Sequence, residues 1–573
     1  MITLQACPKA YTKDQDKAFA PAETVARVKK LMAAKCRGVL AETERVDTGR
    51  LGIPVFVSTC GPQAAQVMPT RKQMGKGASP DQAEASALME LVERFSFFTF
   101  WEDDSNFEEL TWSEAQQRWP GTVIGVERML QSVGEELTEE QAVAVLDLVA
   151  WKFHPALNLA TESVEYVPLD WFKKLNEFNG SSAGNTFEES LGQGLSELVE
   201  RHVCCRIDRE RMELPTIDLD SCDDPVFRDL VQRYRNNGIT IILKDFSLGF
   251  PVPTVGALAY DEKTFPALSE IVFTAGTAAS PLKAAVRALT EVAQLAGDFE
   301  TSRVYEASGL PKFTSLDQVG WLEDGPIISL DSLPTVEDND ILVELRHMAA
   351  GLKAMGFTAY GVDTTHPDLG VTANYGFVPG FDFRERTPHA SLGMFVGCML
   401  AEDAPIDEAD HGLDVLETLY PDAHFLPFFR GLLALRMQDP GFAAIMFEVA
   451  EPLQPAPQER ALAAFYAAYA MSLEERWDEM VPHLDKAIAH DDEVKEYFNL
   501  RGVARFKAGE YQVAAEDFEA ALAIDSGSPE DLANLGLCHK LMGHSEQARD
   551  YLEAALGLNP ELQYARDHLE ELI

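Results

Sequence analysis

The chain is poor in positive charge. Lys and Arg number 48 against 93 Asp and Glu, giving a formal net charge of −45 at pH 7. Phosphate-backbone and anionic-membrane surfaces need clustered cations, so neither nucleic acid nor membrane is expected as a partner. The acidity is spread along the sequence and reads as a solvated surface. Cysteine is sparse: residues 7, 36, 60, 204, 205, 222, 398 and 538 include no CxxC pair, which argues against a zinc ribbon or a dithiol redox motif. Cys204 and Cys205 are adjacent on an expected helix and read as packing residues. No apolar run is long enough to span a bilayer. The opening residues, MITLQACPKAYTKDQ, lack the apolar core of a signal peptide. A cytoplasmic protein with reduced thiols is expected. The usual nucleotide and hydrolase motifs are missing as well. Gly75-Lys-Gly77 has no Ser or Thr after the Lys and no Gly five residues before it, so it is not a Walker A loop. No kinase signature set, HExxH or GxSxG occurs. Lys76 reads as a solvated turn lysine, with phosphate contact as the alternative.

A length of 573 residues exceeds one ordinary core and implies at least two domains. Up to about residue 405, strand-like and helix-like pieces alternate. Segments 53–58, 164–169, 239–243 and 254–260 read as strands, and 81–100, 187–211 and 281–300 as helices. This is an α/β (α+β) domain. From 406 to 573 strand signals fade and Ala, Leu and Glu recur at helical spacing. A 34-residue period runs through Trp477 and Tyr511, through Leu484, Phe518 and Leu552, through Ala487, Ala521 and Ala555, and through Gly502 and Gly536. That period matches tetratricopeptide (TPR) helix hairpins. Repeats are clear over about 460–561, with a degenerate one over 425–456, where Pro452, Pro455 and Pro457 bend or break helices. Such repeats bind peptide or protein partners, or else cap a neighbouring domain or mediate self-association.

The chemistry lies in three acidic stripes. Glu-Leu-Val-Glu-Arg occurs at both 90–94 and 197–201. Ser86, Glu90, Glu93 and Arg94 share one side of a helix whose other residues include Leu88, Leu91, Val92 and Phe95. Glu189, Glu197, Glu200 and Arg201 do the same among Leu191, Leu195, Leu198 and Val203. Arg287, Glu291 and Gln294 form the third stripe. A helix this apolar is buried, and burial disfavours charged glutamate. Protonation, the arginines or a metal must compensate. Small-residue turns, Ser181-Ser-Ala-Gly-Asn-Thr186 and Ala275-Gly-Thr-Ala-Ala-Ser-Pro281, precede the second and third helices; the first suits an anion at a helix N-terminus, and in the second Ser280-Pro281 reads as a helix start. One such stripe alone is ordinarily a surface ion pair. Three together fit a Mg²⁺–nucleotide site, with arginines as phosphate forks or glutamate partners.

These segments resemble the YcaO family. Its signatures are a Ser-x3-Glu-x2-Glu-Arg helix, a Glu-x7-Glu-x2-Glu-Arg helix after Ala-Gly-Asn-Thr, and a Glu-x2-Gln helix. Here they fall at Ser86 to Arg94, at Ala183 to Thr186 with Glu189 to Arg201, and at Glu291 to Gln294. Gly75-Lys-Gly77 and Arg50 to Pro54 also look like family segments. The resemblance implies a YcaO-type fold over residues 1–405 that binds ATP and Mg²⁺ without a P-loop, followed by the all-α TPR-like domain. It implies Glu90, Glu93, Glu189, Glu197, Glu200 and Glu291 as metal ligands, direct or through water. Ser86, Asn185, Arg201 and Arg287 would contact nucleotide, as would Lys17 and Thr24, which match a family Lys and hydroxyl seven residues apart. Helix capping by Thr24 and a solvated Lys17 are the plainer readings there. The implied reaction is ATP-dependent activation of a peptide or protein backbone amide oxygen. A nucleophile adds to the amide carbonyl, the oxyanion takes the γ-phosphoryl group, and phosphate leaves with the oxygen. No general base is identifiable. Azoline-forming members end in a Pro-x-Pro-x-Pro tail, whereas this chain ends Asp-His-Leu-Glu-Glu-Leu-Ile573. His202 also stands where many members have Asp. The resemblance therefore points to the non-azoline branch, with thioamidation among its reactions, and by analogy to a homodimer. The alternative is an ATP-binding accessory protein that recruits a modifying enzyme through its repeats, as in ribosomal-protein β-methylthiolation.

Overall fold

The computed structural model describes residues 2–47, 50–296, 313–386 and 389–572. They form two compact units, Met1–Glu139 with Ala150–Ala390, and Glu140–Val149 with Ser391–Ile573.

The first unit is mixed α/β and holds a three-stranded, a five-stranded and a six-stranded sheet. Three edge strands, one from each sheet, feed the three acidic helices. Lys72–Lys76 precedes the helix Pro80–Glu102, Ser181–Ala183 precedes Phe187–Glu210, and Val272–Thr277 precedes Pro281–Ala296. The turns between them are closed by small polar residues. Ser79 Oγ accepts from Gln82 N at 3.4 Å, and Thr186 Oγ1 accepts from Glu189 N at 3.2 Å, each satisfying an N-terminal donor of its helix. Pro281 opens the third helix, where its missing N–H costs nothing.

Each helix packs on its own strand and on the strand of the next pair. Pro80–Glu102 lies against Ser181–Ala183, Phe187–Glu210 against Val272–Thr277, and Pro281–Ala296 against Lys72–Lys76. The cycle closes, so the three acidic faces are turned toward one another. Glycine permits the approach. A Cβ at Gly75 would overlap the backbone of Ala87, and one at Gly276 the backbone of Ala288.

The read strands at 164–169 and 254–260 correspond to Ser163–Pro168 and Thr254–Tyr260, and those at 53–58 and 239–243 to Val55–Cys60 and Thr240–Asp245. The three read helices are present, though 297–300 of the third lies outside the described residues. One expectation is corrected. The small-residue segments at 181–186 and 275–281 are not turns throughout, because Ser181–Ala183 and Val272–Thr277 are paired strands.

The second unit is helical. Antiparallel pairs Phe425–Arg436 with Pro440–Ala450, Pro457–Leu473 with Trp477–His490, Lys495–Lys507 with Tyr511–Ile524, and Pro529–Leu541 with Ser545–Leu558 follow one another. The 34-residue period has a packing cause. A Cβ on Gly502 would come 2.9 Å from the Phe518 ring, and one on Gly536 would come 2.9 Å from Leu552. The small residue of each first helix thus seats the large residue of its partner. The prolines at 452–457 mark a helix boundary, with Pro457 opening the helix Pro457–Leu473. Among the described residues no helix is long and apolar enough to cross a membrane.

Candidate functional site

The three acidic faces enclose a cavity of about 320 Å³ in the first unit. Ser86, Glu90, Glu93, Asn185, Glu189, Glu197, Glu200, Arg201, Arg287 and Glu291 all line it, and so do Lys17 and Thr24 from the N-terminal segment.

Glu93 Oε1 accepts from Ser181 Oγ at 2.8 Å and lies 3.5 Å from Arg94 Nε. Arg94 in turn stacks over Phe178, 4.1 Å from the ring centre. Arg201 Nε donates to Glu197 Oε1 at 2.9 Å. Arg287 Nη1 donates to Gln193 Oε1 at 2.6 Å. Glu189, 6% exposed, accepts from Ala18 N at 2.8 Å and from Asn185 Nδ2 at 3.2 Å, with Lys17 Nζ 3.7 Å away. Thr24 Oγ1 donates to Asn185 Oδ1 at 3.2 Å. Thr24 lies inside the helix Pro21–Lys35, whose N-cap is Ala20, so it does not cap that helix. Glu189 and Asn185 thereby tie the N-terminal segment to the start of the second acidic helix.

Burial dominates the electrostatics. It raises the Glu90 and Glu200 carboxyls above the usual range. Burial also pushes Glu93 up to about 8, opposed by Arg94 and reinforced by Glu197 and Glu90. Without a ligand the site therefore keeps part of its acid neutral.

Lys76 departs from its sequence reading. It ends an edge strand, lines the cavity and pairs with Glu291. Burial and then Arg287 lower its ammonium to about 8. The Gly on either side suggests a turn, but Gly75 is there to let the strand touch the helix behind it. Gln193, Gln82 and Asp14, which also line the cavity, were not singled out from sequence. Gln193 stands four residues from both Glu189 and Glu197, and Gln82 four before Ser86, so helical spacing carried a signal for both. Cys204 and Cys205 line the cavity with their thiols raised by burial, Cys205 to about 11, and stay neutral. His202 faces the core. It stacks on Phe381 with ring centres 4.5 Å apart, its Nδ1 accepts from Asp382 N at 2.9 Å, and burial lowers it to about 4.

The profile of a family described as YcaO cyclodehydratase, ATP- and Mg²⁺-binding, matches residues 74–382, more than half of the chain. The chain belongs to the YcaO family. A tetratricopeptide-repeat profile matches residues 532–562. An uncharacterized protein of Methanothermobacter thermautotrophicus is 27% identical over 367 residues, 60% of this chain and 90% of its own. The Escherichia coli ribosomal protein S12 methylthiotransferase accessory factor YcaO is 27% identical over 205 residues, 33% of this chain and 35% of its own. A solved heterocyclase in complex with substrate and cofactor superposes with a TM-score of 0.51 at 21% identity, covering 67% of this chain and 54% of that one. The match thus spans 90% of the archaeal relative, about a third of the E. coli protein and about half of the heterocyclase.

The residues present fit the ATP and Mg²⁺ of a YcaO domain. Glu200 Oε2, Arg287 Nε and Gln294 Oε1 are buried and have no hydrogen-bond partner among the described residues, and all three residues line the cavity. An orphaned carboxylate oxygen calls for a cation, and an orphaned guanidinium N–H for an anion. A cation carried by a triphosphate supplies both. Among the described residues no three His, Cys, Asp or Glu side chains converge as the ligands of one ion.

Proposed function

We propose that this YcaO domain uses Mg²⁺–ATP to activate a backbone amide oxygen of a peptide or protein for a modification of the non-azoline type, thioamidation being one such reaction. The observation that carries the reading is the buried, orphaned set Glu200, Arg287 and Gln294 within a closed ring of acidic helices. When bound, Mg²⁺–ATP would supply the phosphoryl group that makes an amide oxygen a leaving group. Glu90, Glu93, Glu197, Glu200 and Glu291 would hold the cations, directly or through water. Arg201, Arg287 and Lys76 would orient and neutralise phosphate oxygens, Ser86, Asn185, Lys17 and Thr24 would contact the nucleotide, and Glu189 would join the other glutamates as a metal ligand, directly or through water. The work of these side chains is positioning and charge neutralisation. Hydrolysis of ATP should be stimulated by a peptide substrate and lost in both Glu90→Ala and Glu200→Ala. Unchanged hydrolysis in the two variants would remove the metal assignment.

A second reading is an ATP-dependent accessory protein that recruits a modifying enzyme through residues 406–573. It is supported by the stacked repeats and by the E. coli relative, itself called an accessory factor. It predicts slow hydrolysis indifferent to peptide and a stable partner lost when the repeats are deleted. Covalently altered peptide from purified protein alone would eliminate it. A homodimer is expected under either reading.

A further inference from the structure

We infer that Asp14 and Gln82 form the base-reading end of the cavity and select adenine over guanine through its exocyclic amine. This rests on the nucleotide reading above and deepens it. Neither residue belongs to the acidic signatures. Asp14 is 2% and Gln82 7% exposed, and both line the cavity. Asp14 Oδ2 and Gln82 Oε1 are buried oxygens with no hydrogen-bond partner among the described residues. The Asp14 carboxyl accepts from Gln15 N at 3.0 Å through Oδ1 and faces the Tyr11 hydroxyl; a buried acceptor left short of donors is destabilising, so the pair suits a ligand that brings N–H or O–H groups.

The helix Pro80–Glu102 gives the direction. Glu90 and Glu93 stand among the other carboxylates. Ser86 is one turn nearer the N-terminus and Gln82 one turn further, ~12 Å from Glu90 at ~1.5 Å per residue. A nucleotide whose phosphates sit at Glu90 reaches that far with its base, past its ribose. Asp14 belongs to the same end. Tyr11 interacts with both Asp14 and Ser79, and Ser79 caps the helix through the Gln82 N–H. A glutamine amide can both accept from the N6 amine of adenine and donate to a ring nitrogen. The Asp14 carboxylate would accept the second amine hydrogen. Guanine presents O6, an acceptor, at that position and leaves both protein oxygens without donors while facing a carboxylate.

The test is equilibrium binding to the full chain with Mg²⁺, by displacement of a fluorescent ATP analogue. The competitors are β,γ-methylene analogues of ATP, GTP, purine riboside triphosphate and 2′-deoxyATP. The ATP analogue should bind about 10- to 100-fold more tightly than the GTP and purine riboside analogues. Asp14→Asn should shrink both ratios and improve GTP-analogue binding, and Gln82→Met, of similar volume, should shrink them too. The proposal is overturned if the unsubstituted chain does not distinguish the purine riboside analogue from the ATP analogue. It is also overturned if the variants' loss vanishes only with the 2′-deoxy competitor, which would place these oxygens on the ribose. The underlying reading fails separately. If Glu90→Gln and Glu200→Gln leave Mg²⁺-dependent binding intact, the nucleotide sits elsewhere. If they abolish it while Asp14→Asn keeps full adenine preference, only the base-reading assignment falls.

Discussion

Loading the site with Mg²⁺ and a non-hydrolysable ATP analogue should release protons, because the cavity holds carboxyls that burial keeps neutral. Glu93, pushed up to about 8, carries its proton in about nine molecules of ten at pH 7. A cation beside it demands the ionised form, so about 0.9 proton leaves on binding. Glu90 and Glu200 are raised in the same direction by burial. Lys76, lowered to about 8, works the other way. It is already charged in about nine molecules of ten at pH 7, and a neighbouring phosphate makes it take up about 0.1 proton. The net is a release of at least about 0.8 proton, so affinity rises with pH near 7 by about 0.8 log unit per pH unit. The sign follows from linkage: a group with a high pKa free and a low pKa bound favours binding as pH rises. The gain ends above about pH 8, where Glu93 is already ionised and Lys76 loses its charge. Calorimetry at pH 7 in buffers of different ionisation enthalpy counts the protons directly. Glu93→Gln should lower the count by about 0.9. A buffer-independent enthalpy, or the same count in Glu93→Gln, would refute this electrostatic account.

The remaining predictions are more local. Lys76→Met should weaken binding of the same analogue about 10- to 100-fold, the range for losing a charge-assisted hydrogen bond, measured by fluorescence displacement. Binding within twofold of the unsubstituted chain would return Lys76 to a purely structural role. In the helical unit, Leu552 is fully buried against the position where Gly536 lacks a side chain. Leu552→Ala should cost about 2–5 kcal/mol, read from urea denaturation by circular dichroism. A loss under about 0.5 kcal/mol would contradict the small-against-large packing of the hairpins.

The acidic stripes were readable because their spacing is a property of one helix: Glu90 and Glu93 share a face whatever the helix packs against. The hairpin period was readable for a similar reason, since Gly502 and Gly536 recur wherever Phe518 and Leu552 need room. The edge strands Ser181–Ala183 and Val272–Thr277 were not. Ser181–Ala183 is short and built of small residues with little strand preference, while in Val272–Thr277 the strand formers Val272, Phe273 and Thr274 run straight into the small residues 275–277 that read as a turn. The same holds for Lys76. A lysine between two glycines looks solvated until Gly75 is seen pressed against Ala87. Asp14 carries no sequence signal at all. It is buried beside Tyr11, which meets Ser79 across more than sixty positions.

The central claim is that glutamates from three helices surround Mg²⁺ and a triphosphate. A crystal structure of the full chain with Mg²⁺ and a non-hydrolysable ATP analogue tests it most directly. The account predicts metal density between phosphate oxygens and carboxylates drawn from Glu90, Glu93, Glu189, Glu197, Glu200 and Glu291, with Arg287 Nε donating to phosphate. Nucleotide bound outside this cavity, or these carboxylates left without metal in a nucleotide-bound crystal, would contradict it.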